Sequence, residues 1–102
     1  MNEDLQNKEL VLLLNQAFEL EMNESNWQQI REILISEIIK LMLKSSEKLW
    51  NILYRIDVNE SKVKAIFTNA AADEIAPQIA DLIMERMLQK AKSRIEYKNK
   101  RN

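Results

Sequence analysis

The chain has 102 residues, of which 46% are hydrophobic and 30% are charged, and its formal net charge is −1. This composition predicts one globular domain, residues 1–102, with a single core. Cysteine, histidine and glycine are absent from the sequence. Disulfides, thiolate or imidazole metal sites, histidine catalysis and glycine-rich phosphate loops are therefore excluded. We expect no cofactor and no small-molecule substrate.

The same composition favours helices. Tight β-hairpins depend on glycine, and the one proline, Pro77, leaves long uninterrupted windows. The N-terminus is acidic, its apolar run covers only residues 10–14, and no window has eighteen uncharged apolar residues. We predict an all-α, compact bundle of four or five helices in the cytoplasm, with no secretory signal and no membrane span.

The first helix is predicted over residues 8–22, because apolar residues recur there at intervals of three and four. They are Leu10, Leu13, Leu14, Ala17 and Phe18. Residues 1–7 are expected to fray.

Residues 27–43 (WQQIREILISEIIKLML) form the most apolar stretch, and Ser25 or Asn26 can cap the helix that it predicts. Its apolar side chains cover more than half of the helix circumference, so we expect it to be the central helix of the bundle. Two readings are open beyond it. A new helix can begin near Ser45 and Ser46, or one helix can continue over residues 26–56 with the same face inward.

A firmer boundary follows Ile56. Asp57 and Glu60 have capping-box spacing, whereas Asn59 as the cap would make Val58 and Val63 a hydrophobic staple. Either arrangement predicts a short helix that ends near Thr68.

The last helix is predicted to be long and to begin at Asp73 and Glu74 or, at the latest, at Pro77, because proline is tolerated in a first turn. Its core stripe is Ile79, Ile83 and Met87. Residues 98–102 are polar and are expected to fray.

Charge is distributed unevenly along the chain. Residues 1–24 contain six acidic and one basic residue, a net charge of −5, and residues 85–102 contain seven basic and two acidic residues, a net charge of +5. A basic helix end is usually a solvated face, but it also suggests contacts to nucleic acid. The candidate nucleic-acid contacts are Lys92, Arg94, Lys98, Lys100 and Arg101.

Other chemical sites are not supported. Residues 57, 59 and 61 copy the first ligands of a calcium loop, but Lys62 replaces its glycine and Thr68 its glutamate. The serines lack a partner base, and the glutamates lack the histidines of a di-metal bundle. We therefore predict that the protein is not an enzyme.

Trp50, Tyr54 and Arg55 have the composition of an interface hot spot. The alternative is that Trp50 belongs to the core and Tyr54 places its hydroxyl at the edge.

Residues 53–58 (LYRIDV) followed by Glu60 resemble a motif in a family of small bacterial all-helical proteins without assigned function. The likeness extends over residues 47–97 and includes Ile79, Asp81, Glu85 and Arg86. It implies an inter-helix polar cluster, and with the aromatic group this gives a candidate interaction site of Trp50, Tyr54, Arg55, Asp57, Glu85, Arg86 and Lys90. Within it we expect Arg55 to bind Asp81 or Glu85 through two hydrogen bonds.

The sequence thus predicts a protein-interaction or structural module that self-associates as a homodimer. Its surplus apolar surface is expected around Leu12, Leu20, Ile39 and Leu43. The alternative is a nucleic-acid-associated accessory protein that uses the basic C-terminal helix.

Overall fold

The computed structural model describes residues 3–23 and 26–101, with only the backbone of Arg101. These residues form five helices and no strand, which confirms the predicted all-α fold. The helices are α1 (Glu3–Phe18), α2 (Trp27–Lys44), α3 (Ser46–Arg55), α4 (Glu60–Asn69) and α5 (Ala72–Arg101).

Helix α5, and not α2, is the helix around which the bundle is built. At 1.5 Å per residue, its 30 residues span about 45 Å, which matches the longest dimension of the molecule, 45 Å. Helices α1, α2 and α4 all pack against it, and α3 packs against α2. Its buried face consists of Ala76, Ile79, Ala80, Ile83, Met84, Met87, Ala91 and Ile95.

Helix α1 runs antiparallel to the C-terminal half of α5. Glu9 near its start contacts Lys98, and Gln16 near its end lines the same shallow cleft as Met87 and Lys90. The helix begins at Glu3, earlier than predicted, and α5 continues through Arg101. Residues 3–7 and 98–101 are therefore helical where the sequence predicts frayed ends; residues 1, 2 and 102 lie outside the described part of the chain.

Two helices end in the same way although the chain has no glycine. Glu19 and Asp57 have φ angles of 57° and 63°, in the left-handed region that glycine usually occupies. After α1, the Leu20 N–H donates to the Asn15 carbonyl at 3.0 Å, and after α3, the Val58 N–H donates to the Leu53 carbonyl at 3.2 Å. Each of these is the 6→1 hydrogen bond of a Schellman motif, in which an N–H just beyond the helix donates to the carbonyl five residues earlier.

The Asn15 side chain holds the turn that follows α1. Its Nδ2 donates to the Met22 carbonyl at 3.1 Å, and its Oδ1 accepts from the Met22 N–H at 2.9 Å. Met22 is buried as a result, but it lies in this turn and not in α1, so the predicted end of the first helix at Met22 is four residues too late.

The central apolar stretch contains one helix, and a second begins after it. Ser45, with φ −161° and ψ 75°, separates α2 from α3. This break lets α3 pack against α2 and bury Leu49, Ile52 and Leu53. Asn26 caps α2 by accepting from the Gln29 N–H at 3.1 Å; the alternative cap, Ser25, lies outside the described residues.

Of the two starts considered for α4, the one at Asn59 is correct. Its side chain accepts from the Lys62 N–H at 3.1 Å, and Val58 and Val63 occupy the two staple positions. The Asp57–Glu60 capping box is wrong, because Asp57 belongs to the left-handed end of α3.

Pro77 lies in the second turn of α5, since that helix begins at Ala72. The prediction that Pro77 would fall within a first turn is therefore wrong. The cost is one missing hydrogen bond, to the carbonyl of Asp73, at an exposed helix end where water can replace the donor.

Packing around α5 yields a first prediction. Ile83 is 0% exposed on this helix, and replacing it by alanine leaves a cavity. Ile83→Ala should lower the free energy of unfolding by about 2–5 kcal/mol. The matched control is Leu5→Ala, at an exposed position of α1, which should lose no more than about 0.5 kcal/mol. Chemical denaturation measures both, and similar losses would contradict the role given to α5.

Candidate functional site

The predicted interaction residues lie mostly around the junction of α3 and α4. Trp50 packs on Phe67 of α4, with ring centroids 5.4 Å apart and planes tilted by 30°, and it remains 37% exposed. Tyr54, one turn further along α3, is 83% exposed. The Trp50 side chain is thus partly packed and partly exposed, whereas the Tyr54 side chain contributes almost nothing to the core.

An open cleft of about 750 Å³ lies between these aromatic residues and the start of α4. Its lining includes Trp50, Leu53, Tyr54, Asp57, Val58 and Glu60. The Schellman motif and the Asn59 cap fix its floor, because they set the angle at which α4 leaves α3. Two carboxylates and no basic residue belong to the described lining.

Asp57 connects this junction to α5. Its Oδ2 lies 3.6 Å from Nη2 of Arg86, and Arg86 Nη1 donates to Gln89 at 3.4 Å. The Nε atom of Arg86 is buried and has no acceptor among the described residues. A second, smaller cleft of about 290 Å³ is lined by Asp57, Lys62, Glu85 and Arg86 together with neighbouring residues.

Arg55 makes neither of its predicted contacts, because no hydrogen bond or ion pair among the described residues joins it to Asp81 or to Glu85. It is exposed and lies at a third, shallow cleft beside Lys90 and the end of α1. Asp81 is bound instead by Arg31 of α2, whose Nε donates to Oδ1 at 2.7 Å and whose Nη2 donates to Oδ2 at 3.3 Å. The predicted group is therefore distributed over three neighbouring clefts.

The hydrogen bond to Asp81, followed by the smaller effect of the carboxylate charge, raises the pKa of the Arg31 guanidinium. Because the pKa of Arg31 is higher in the folded than in the unfolded chain, its charge stabilises the fold at every pH below the unfolded-state pKa. This stabilisation is lost only as pH rises through the still higher pKa of the folded state. The arginine side of the pair therefore does not act as a pH switch. Sequence reasoning missed this pair because its members lie 50 positions apart and share no local pattern.

A second missed residue is Glu9, a nearly buried carboxylate in α1. Lys98 donates to its Oε1 at 2.9 Å, and the Glu9 side chain is only 6% exposed. Its position beside the apolar run of residues 10–14 was the available signal, because an acidic residue next to a core stripe needs a partner. One candidate nucleic-acid contact, Lys98, is thus engaged within the chain.

The other basic candidates point to the surface. Lys92, Arg94 and Lys100 are exposed along α5. The side chain of Arg101 lies outside the described part of the structure. The nearest aromatic residue, Tyr97, is exposed as well.

Helix α2 carries apolar side chains that are exposed outside the core. One side of this helix buries Ile30, Leu34, Ile38 and Leu41. On another side, Ile39 is 45% exposed and Leu43 is 82% exposed, while Ile35 and Met42 next to them are half-buried and pack against the core. We call these four residues the α2 stripe. It explains why α2 is so apolar without being surrounded.

The two residues in and after α1 that were also predicted to supply apolar surface for self-association differ in exposure. Leu12 is exposed, and Leu20, which follows the helix end, is half-buried and packs against the core.

Among the described residues, no group of three or more acidic side chains is placed to hold a metal ion, and no described helix combines the length and apolarity needed to cross a membrane.

Comparisons with protein-family models, curated proteins and solved structures give no match to this chain.

The contact between Arg31 and Asp81 leads to a second prediction. Both side chains are partly exposed, so Arg31→Ala should cost about 0.5–1 kcal/mol of unfolding free energy. Arg31→Lys should recover only part of it, because lysine cannot form the two-bond contact. A double-mutant cycle with Asp81→Ala should show a coupling of similar size. Arg55→Ala is the matched control and should be nearly neutral; a loss that equals that of Arg31→Ala would restore the original assignment to Arg55.

The contact between Glu9 and Lys98 leads to a third prediction, on the cost of removing the cation. Lys98→Met keeps the aliphatic stem but leaves a buried carboxylate without its cation, which should cost about 1–3 kcal/mol. Lys92→Met, at an exposed position of the same helix, should be nearly neutral. Adding Glu9→Gln to Lys98→Met should restore part of the loss, because a buried amide is less costly than a buried charge. Equal losses for the two lysine variants in urea denaturation would show that Glu9 does not need Lys98.

Proposed function

We propose that the protein is a non-enzymatic protein-interaction module that assembles with a second copy of itself through the α2 stripe. The observation that carries this proposal is the exposure of Leu43 and Ile39 on a helix whose other face is already fully buried. A bundle that needed α2 only for its own core would require a single apolar face.

The spacing of the stripe suits a helix–helix contact. Its members, at positions 35, 39, 42 and 43, fall within an arc of about 100° on the helix surface. A second helix laid along this arc would cover all four side chains at once. Exposed single apolar residues are ordinary, but two exposed residues beside two half-buried ones form a continuous apolar surface, which is typical of an interaction site.

A second copy fits the stripe because of its symmetry. If two α2 helices pack antiparallel about a two-fold axis near Ile39, Leu43 of each copy lies opposite Ile35 of the other. A standard interface buries about 800 Å² on each partner, so residues beside the four members of the stripe would also take part in it.

The alternative, a nucleic-acid accessory role for the C-terminal part of α5, has weaker support. The exposed Lys92, Arg94 and Lys100 favour it. Against it stands the contact of Lys98 with Glu9, which removes one cation from the candidate set. Among the described residues of this part of α5, Tyr97 is the one aromatic side chain near the cations, which is fewer than single-strand binding by stacking requires.

Three further expectations belong to the same proposal. The module acts without a cofactor, and its location is the cytoplasm, as the composition predicts. The resemblance of residues 47–97 to a family of small bacterial proteins stays a prediction, and it adds no activity to this proposal.

Self-association is the fourth prediction. In light scattering at micromolar concentration, the protein should have twice the chain mass of 12.1 kDa. Leu43→Glu should reduce it to a monomer, because pairing would bury an uncompensated charge in the stripe of the partner. The control Thr68→Glu places the same charge at an exposed position of α4 and should remain dimeric.

Two outcomes would contradict the proposal. One is a wild-type protein that stays at 12.1 kDa at the highest attainable concentration. The other is equal dimerisation of Leu43→Glu and Thr68→Glu, with circular dichroism showing that both are folded.

A further inference from the structure

The cleft between α3 and α4 combines an aromatic wall with an acidic rim. The Trp50 ring packs against Phe67, so part of the ring is covered and the rest is left to line the cleft. Tyr54 stands one turn away with almost its whole side chain in solvent. Leu53 and Val63 are buried at the base and give the cleft an apolar floor.

The rim carries charge of one sign. Asp57 and Glu60 both line the cleft, and neither lysine nor arginine is part of its described lining. Each carboxylate is near a cation that does not line the cleft. Arg86 Nη2 lies 3.6 Å from Asp57 Oδ2, and Lys64 Nζ lies 3.1 Å from Glu60 Oε1. Both carboxylates are largely exposed, so these pairs are weak and leave lone pairs available towards the cleft.

A group that fits both features has a positive charge on an apolar stem. Arginine and lysine side chains place their stems along apolar surface and their cations over aromatic faces. Phosphate-bearing ligands are disfavoured, because two carboxylates would repel them. The cleft is open along one side and about 750 Å³ in volume, enough for several residues of an extended chain.

We propose that this cleft binds a basic peptide segment of a partner protein, with an arginine or lysine side chain lying against Trp50 and Tyr54 and its charge beside Asp57 and Glu60. The inference adds a second kind of partner to the interaction module proposed above. It uses a different face of the molecule from the α2 stripe. The two can therefore fail separately.

The binding test uses the full chain and the capped peptide Ala-Arg-Ala-Arg-Ala as the probe. Isothermal titration calorimetry measures binding at low salt. In a Trp27→Phe background Trp50 is the one remaining tryptophan, so its emission should change on binding. The same peptide with citrulline in place of arginine keeps the shape without the charge and should bind at least about tenfold more weakly.

Two sets of variants locate the site. Asp57→Asn combined with Glu60→Gln removes the rim charge, and Asn tolerates the left-handed backbone at position 57. This variant, and separately Trp50→Leu, should weaken binding about tenfold. The control Asp73→Asn with Glu74→Gln removes the same charge from the exposed first turn of α5 and should leave affinity within about twofold. Circular dichroism confirms that each variant is folded.

Several results would overturn the proposal. They are equal affinity for the arginine and citrulline peptides, equal weakening by the rim and control variants, or no binding with the peptide at millimolar concentration. A further contradiction would be loss of the dimer in the rim variant, because the cleft would then be covered by a second copy. Retained peptide binding by Leu43→Glu would show that the cleft works even if self-association through α2 fails.

Discussion

A helix of 30 residues needs apolar cover along about 45 Å, and the other helices of this chain have only 10 to 18 residues each. Burial of the long face of α5 is the constraint on which the rest of the structure depends. Different helices cover the two halves of α5. Helix α1 packs along its C-terminal half, where Glu9 contacts Lys98. Helices α2 and α4 pack further towards its N-terminus, where Arg31 contacts Asp81. Helix α3 joins the core through α2.

This division of cover leaves surplus surface on α2. One side of α2 is sufficient to cover α5 and α3, so Ile39 and Leu43 stay exposed, while Ile35 and Met42 pack only partly against the core. The cleft has a related origin. The Schellman motif at Asp57 and the cap at Asn59 connect α3 to α4, and the cleft between these helices is lined by the exposed side chains of Trp50 and Tyr54. Both proposed surfaces therefore follow from how the bundle closes around α5.

The sequence predicted the local features of this fold well, because they depend on neighbouring residues. Periodicity located the helices, and short polar side chains at Asn26 and Asn59 marked two of their starts. Features set by tertiary packing were missed. Apolarity made α2 look central, but periodicity does not show which side of a helix is covered. Arg55 and Arg31 are equally plausible partners for Asp81 in sequence, and only the packing of α2 on α5 distinguishes them. Asp57 reads as a helix cap because a left-handed non-glycine residue has no clear local signature.

Native-state hydrogen exchange tests the central claim most directly, since it reports the stability of each helix separately. If α5 is the helix on which the others depend, its amides between Ile79 and Met87 should exchange only through global unfolding and be the slowest in the protein. Amides near Ile39 and Leu43 should exchange faster in the monomeric Leu43→Glu variant, through local opening at the uncovered end of α2. The opposite order, with α2 slowest and the middle of α5 opening locally, would contradict the account.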